Sequence, residues 1–228
     1  MTRNTPTVAE APPVPTTRST YRHGDLRRAL LEAGIDLAQA GGPDAIVLRE
    51  ATRRAGVVPN AAYRHFANRQ DLLEAVRAAA LSRLAMEMEA AMAADLAAVP
   101  ADADAATRAR ATLRAVGRGY LRYALRETGL FRTAFSVREQ VQQVEHEADP
   151  AKAGNSGLNP FQLLSAALDG LVTAGLLASD RRPGAEYLAW AAVHGLAMLA
   201  LDGPLHGRPA SQIDALSQRL LEMVEQGL

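Results

Sequence analysis

Between residues 46 and 74, in the stretch IVLREATRRAGVVPNAAYRHFANRQDLLE, Gly56 and Pro59 are separated by only two valines. That spacing forces two short helices to meet at a tight turn. The first is predicted from Leu48 to Ala55, because Gly56 takes a left-handed helix stop at no steric cost. Pro59 suits the first turn of the next helix, where its missing N–H would be unpaired anyway. About two turns fit before Asn68, whose side chain can cap a third helix with Asp71 three residues on. Two helices around a glycine turn match the helix-turn-helix outline. Ala62 and Phe66, four apart, are predicted buried, leaving Pro59, Asn60, Tyr63 and Arg64 on a face that suits a groove. Glycine turns and Arg-rich helices also occur as ordinary solvated structure, so this geometry alone admits both readings.

Composition sets the surroundings of that unit. In 228 residues, 48% are apolar and only 4% aromatic, which permits a sizeable core and favours helix over sheet. Formal net charge is zero, yet residues 18 to 77 hold ten arginines against seven acidic residues. This local surplus of three points an anion-binding end toward the N-terminal third. The absence of cysteine excludes disulfides and thiol chemistry. No apolar run long enough to span a bilayer and no hydrophobic leader core occur, so the expectation is a soluble cytoplasmic chain with no membrane partner.

Taken in order, residues 1–20 are rich in Pro and Thr and are expected to form a disordered arm. Arg3 and Arg18 within it have the reach for a minor groove, although a solvated tail is the commoner outcome for this composition. A helical stripe of Leu26, Leu30, Ala33 and Leu37 runs from Asp25 to Gly41 and should pack beneath the two-helix unit. Residues 21–68 thus form the first domain and residues 69–228 the second. The second opens with a lever-like helix from Arg69 to about Ala97, followed by helices predicted over residues 105–126, 160–178, 184–201 and 211–226. Residues 129–135 read as a short apolar segment, with a weak amphipathic piece continuing to Glu147. Residues 149–159 read as a mobile loop. The helix over 184–201 is apolar nearly all round and must be covered on both sides.

The stretch GVVPNAAYRHFANRQDLL is similar to the signature of the tetracycline-repressor family, in which Gly-Val-Ser, a Tyr, His-Phe, a Lys and a Leu pair recur. The matching places are Gly56, Val57, Val58, Tyr63, His65, Phe66, Arg69, Leu72 and Leu73. YRHGDLRRALLEAG from Tyr21 and WAAVHGL from Trp190 resemble the subgroup with a Trp-His-Gly C-terminal domain. Three departures stand out. Val58 removes a Ser or Thr cap, a change of roughly 1 kcal/mol in other helices. Arg69 replaces Lys, and Ala51 with Thr52 makes a smaller core carrying a hydroxyl that needs a partner.

The resemblance implies an all-α fold: a three-helix DNA-binding domain followed by a helical ligand-binding and dimerisation domain. It implies that Pro59, Asn60 and Tyr63 face bases and that Arg49, Arg64, His65 and Arg69 complete the DNA-binding set, the last three at phosphates. It further implies a cavity, for which the helical pattern offers Leu84, Met88, Tyr120, Phe131, Phe135, Phe161, Leu168, His194 and Met198. Tyr120 and His194 would be the polar anchors for an apolar effector. The same residues would equally serve a filled core. A homodimer contact is expected through Trp190, Ala191, Ala192, Gly195, Ile213, Leu216 and Leu220, on the two C-terminal helices.

Reactive constellations are weak. Gly117-Arg118-Gly119 lies inside a helical pattern with no strand before it, which excludes a phosphate loop. Asp202 and His206 are split by Gly203-Pro204, and Glu145-His146-Glu147 reads as a solvated face. No catalytic residues, metal or cofactor are expected. The competing reading is an all-α ligand-binding or protein-docking module whose helix-turn-helix is only structural.

Overall fold

The computed structural model describes residues 23–136 and 149–228; the N-terminal arm, the piece leading to Glu147 and the Glu145–Glu147 cluster lie outside the described residues. Among the described residues the chain is all helical, with nine α-helices and no strand. The first three are α1 (His23–Gly41), α2 (Leu48–Arg54) and α3 (Pro59–Ala62). Leu30 and Leu37 of α1, Ile46, Leu48, Ala51, Ala62 and Phe66 are all buried together. Leu72, Leu73 and Val76, from the start of α4 (Arg69–Ala98), close that core. The lever helix is therefore half part of the N-terminal domain and half part of the next. At about 1.5 Å per residue its 30 residues extend some 45 Å.

Local chemistry sets the boundaries. Gly56 has φ +67°, the left-handed stop expected after α2. Asn68 accepts the Asp71 N–H at 2.9 Å and caps α4, and Asp71 reaches back to accept the N–H of Ala67, the residue before the cap, at 3.0 Å. The Thr52 hydroxyl is satisfied by the Arg49 carbonyl at 2.6 Å. In contrast to the two turns expected, α3 is a single turn of four residues, and Tyr63, Arg64 and His65 follow in a non-helical turn. The His65 and Phe66 N–H groups both converge on the Ala62 carbonyl, at 2.9 and 3.0 Å, which closes the chain back on itself.

The second half begins with α5 (Ala105–Arg126), capped by Asp104, and α6 (Thr128–Ala134). Helices α4 and α5 lie side by side, and Gly119 packs directly on the backbone at Met88. The glycines of the Gly-Arg-Gly motif are contact points for neighbouring helices. The Tyr123 hydroxyl donates to the Ala80 carbonyl at 2.9 Å across the same junction. One side of α5 carries an arginine every four residues. Arg110 and Arg114 meet Glu225, Arg118 meets Asp95, and Arg122 and Arg126 meet Glu87. Helix α6 abuts the end of α1, where Gln39 donates to Glu127 at 3.1 Å.

Residues 153–156 do not behave as the free loop expected from their composition. The Asn155 and Ser156 N–H groups and the Ser156 hydroxyl all donate to the Glu89 carboxylate, at 2.8, 2.9 and 2.6 Å. Ser82 donates to the Ala153 carbonyl at 2.6 Å. The segment is thereby fastened to α4.

Helix α7 (Pro160–Thr173) opens on a full capping box between Asn159 and Gln162. It stops five residues sooner than its apolar pattern suggests. Gly175 has φ +70°, and the Leu176 and Gly175 N–H groups return to the Leu171 and Val172 carbonyls at 2.9 and 3.0 Å. That is a Schellman stop, with Gly175 the stop residue. The last two helices are α8 (Ala185–Leu201) and α9 (Ala210–Gly227). Ser211 lies inside α9 and does not cap it; Pro209 precedes the helix.

Candidate functional site

The N-terminal surface is built from a rigid base outward. With Ala62 and Phe66 buried, Asn60, Arg64 and Tyr63 project to solvent, Tyr63 with 56% of its surface exposed. His65 is half-buried, Arg49 is exposed, and Pro59 supplies the first residue of α3. Arg27 places its guanidinium 5.2 Å from the centre of the Phe66 ring, bracing the base from beneath.

Arg69 is already engaged. Its guanidinium donates to the Ile46 and Pro43 carbonyls, both at 2.7 Å, and so fastens the start of α4 to the segment before α2. Arg69, expected at a phosphate, thus has a positioning task that the sequence did not show. Sequence reasoning also passed over Glu50, which accepts Arg53 at 2.7 and 2.8 Å and Arg54 at 3.2 Å. Hydrogen bonds from Arg53 and then Arg54 hold its carboxyl down to about 2. The three- and four-residue spacings of the Glu50–Arg53–Arg54 trio were the signal for it.

A second assembly lies in the helical half. Tyr120 packs edge-on to Phe131 with centroids 5.5 Å apart, and Phe135 lies 4.9 Å from Phe131 and 5.9 Å from Trp190. Phe161 meets Trp190 at 6.4 Å, and His194 lies 5.0 Å from Phe135. The Trp190 indole N–H donates to the Tyr120 oxygen at 3.1 Å, and that hydroxyl sits 2.8 Å from His194 Nδ1. Burial pushes the His194 imidazolium pKa down, so the ring favours its neutral form. A neutral ring can accept the Tyr120 proton at Nδ1 and carry its own on Nε2.

Five of the nine residues predicted for a cavity, Tyr120, Phe131, Phe135, Phe161 and His194, come together in this cluster, while Leu84, Met88 and Leu168 are fully buried packing residues. Met198 is different. It is 38% exposed on the outer side of α8 and does not belong with the cluster. Trp190 shows the opposite error: expected at an outer contact, it faces inward through its ring neighbours and its bond to Tyr120.

The outer side of α8 exposes Leu188, at 67%, with Ala191 and Leu199, and Gly195 has open space where a side chain would be. Ala192 is half-buried at its edge. On α9, Ile213 is buried within its own chain, while Leu216 and Leu220 are partly buried against the core. Ile213 thus leaves the set of outward-facing residues.

Residues 30–76 match the family model for bacterial regulatory proteins of the tetR family, and residues 113–224 match that for the tetracyclin repressor-like C-terminal domain. The chain belongs to the tetracycline-repressor family. Members are DNA-binding transcriptional regulators, and the two matches fall on the two halves of the fold. A solved structure of a protein of unknown function from Rhodococcus sp. RHA1 is 26% identical, covering 92% of this chain and 99% of that one with a TM-score of 0.68. A candidate TetR-family transcriptional regulator from Mesorhizobium loti MAFF303099 is 15% identical over 90% of this chain and 96% of its own, at a TM-score of 0.53. A candidate tetR-family regulator from Shewanella sp. PV-4 is 17% identical over 86% and 95%, at 0.51. The last two share the fold. No curated protein is a significant match. Among the described residues no group of three or more metal-ligating side chains occurs, and no helix is long and apolar enough to cross a membrane.

Proposed function

We propose that this TetR-family regulator is a cytoplasmic homodimeric repressor, released from a palindromic operator when an apolar small molecule enters among the aromatic residues of its C-terminal half. The observation that carries the DNA reading is the exposed trio Asn60, Tyr63 and Arg64, held over the buried pair Ala62 and Phe66. Pro59, Asn60 and Tyr63 are assigned to bases, Arg49, Arg64 and His65 to the backbone, and Arg69 to holding the unit in register. A two-fold dimer sets two such units on successive major grooves, about 34 to 36 Å apart or a multiple of it. Ala191, Ala192 and Gly195, with Leu216 and Leu220 beside them, are the small and apolar residues that let two copies approach. The Trp190, His194 and Gly195 spacing supports assigning the C-terminal half to the Trp-His-Gly subgroup, and the two domains are divided near residue 68, with the first turns of α4 packed into the N-terminal core.

The effector is assigned to Tyr120, Phe131, Phe135, Phe161 and His194, with Leu84, Met88 and Leu168 behind them. An aromatic wall with one neutral imidazole suits a largely hydrophobic ligand. Such a ligand controls DNA affinity only by binding the two states unequally. The test is a titration of the chain against its own upstream DNA at several salt concentrations, with light scattering of the free protein. Salt-dependent, sequence-selective binding and a mass twice 24.2 kDa are expected. A monomer that stays monomeric on DNA overturns the dimer. Absence of selective binding across candidate operators leaves a helical docking module whose helix-turn-helix is structural.

A further inference from the structure

We infer that Val58 is a specificity-determining residue that reads the C5-methyl group of a thymine in the operator. The inference rests on the operator-binding reading above and adds a residue to it. Val57 and Val58 form the two-residue connector between the Gly56 turn and α3. Val57 packs against the core of the N-terminal domain. Its neighbour does the reverse: Val58 is 68% exposed, the most exposed large apolar side chain among the described residues. It stands at the leading end of the surface that carries Asn60, Tyr63 and Arg64.

The backbone there is held in place, since the Val58 carbonyl accepts the Ala61 N–H at 3.0 Å and the Val57 N–H donates to the Thr52 carbonyl at 3.1 Å. A β-branched side chain on a fixed backbone has few rotamers, so little freedom remains to be lost on contact. In helix-turn-helix proteins the residues leading the recognition helix are the ones that meet base edges. A valine has no donor or acceptor, and the one base feature in the major groove that rewards an apolar group is the thymine methyl. Arg49 and Arg64 of the same domain are exposed and of the sign that phosphates attract. Together they commit this apolar patch to DNA rather than to a protein partner.

The test uses the full-length chain and an operator selected from a random duplex library. Each thymine is then replaced in turn by deoxyuridine, which removes only the methyl. At one position per half-site the replacement should weaken the wild-type chain about fourfold, the equilibrium counterpart of one buried methyl group. Val58→Ala and Val58→Ser should bind the thymine and deoxyuridine operators alike. Because the side chain is exposed, Val58→Ala should melt with the wild type, while Val58→Ser, which supplies a helix cap, should melt at or above it, and the melt is measured alongside. A wild-type chain indifferent to every thymine methyl, or a methyl effect that persists unchanged in Val58→Ala, overturns the inference while leaving the regulator reading in place. If selection yields no preferred operator at all, the operator reading fails first and this inference with it.

Discussion

Gly119 and Met88 meet backbone to backbone: a Cβ on Gly119 would lie 2.6 Å from Met88 Cα and 2.9 Å from the Glu87 carbonyl oxygen. The lever helix α4 and its neighbour α5 are therefore in contact with no side chain between them at this point. Gly119→Ala should force them apart. We expect a loss of about 1–3 kcal/mol, as for other overpacked cores, seen as a lower midpoint in urea or heat. An unchanged midpoint would mean that the two helices slide apart at no cost.

Tyr120→Phe removes the hydroxyl that joins Trp190 to His194. The indole N–H then loses its acceptor, at a cost of about 1–3 kcal/mol for a poorly solvated donor. Because Trp190 is the chain's single tryptophan, its fluorescence reports the change directly. We expect a lower melting temperature and a shifted emission maximum, with far-ultraviolet circular dichroism unaltered.

Arg69→Ala and Asn60→Ala should separate positioning from reading. Without Arg69 the Ile46 and Pro43 carbonyls lose a charged donor, which costs about 1.5–3 kcal/mol per such bond at most. We expect a lower melting temperature and weaker binding of all DNA sequences, with the salt dependence nearly unchanged. A salt slope reduced by about one unit would instead give Arg69 a phosphate. Asn60→Ala should leave the melt alone and cost about 1–3 kcal/mol mainly at one base pair.

Glu89→Gln tests the fastening of residues 154–156. Burial alone would raise the Glu89 pKa, but hydrogen bonds from Ser156 and Asn155 outweigh it and hold the carboxyl below the usual glutamate range. A carboxyl depressed in the folded state stabilises fully above its unfolded pKa and loses that contribution as pH falls through the folded one. The variant should be less stable than wild type at neutral pH, and the gap should close in acid. Proteolysis near residues 153–156 should quicken in the variant. A gap independent of pH would assign the effect to packing.

Much of the fold was readable because its punctuation is local. Gly56, Asn68 and Asp104 each act within one helical turn, so α2, α4 and α5 begin or end where expected. The misses have physical causes. The helix predicted to residue 178 stops at Thr173, because an apolar helix face and the apolar chain beyond its Gly175 stop look alike in sequence. On α8, apolar nearly all round, hydropathy carries no inside or outside, and Trp190 and Met198 were assigned to each other's sides. The Glu89 anchor depends on a carboxylate 66 residues away from Asn155, which no local pattern encodes. Within the candidate DNA-facing surface, the exposure of Asn60, Tyr63 and Arg64 followed from the burial of Ala62 and Phe66; the carbonyl partners of Arg69 did not, being contacts across the domain core.

The arginine row of α5 bears on how this molecule meets a polyanion. Its five guanidinium groups share three carboxylates, Glu225, Asp95 and Glu87, so each cation of the row stands against an acid. The net surplus of three positive charges lies between residues 18 and 77, and in a chain of zero formal charge the rest carries the balancing negative charge. Such a particle is not drawn bodily toward DNA. It is a dipole, and the field of the duplex exerts a torque on it that turns the reading surface forward before the first contact is made.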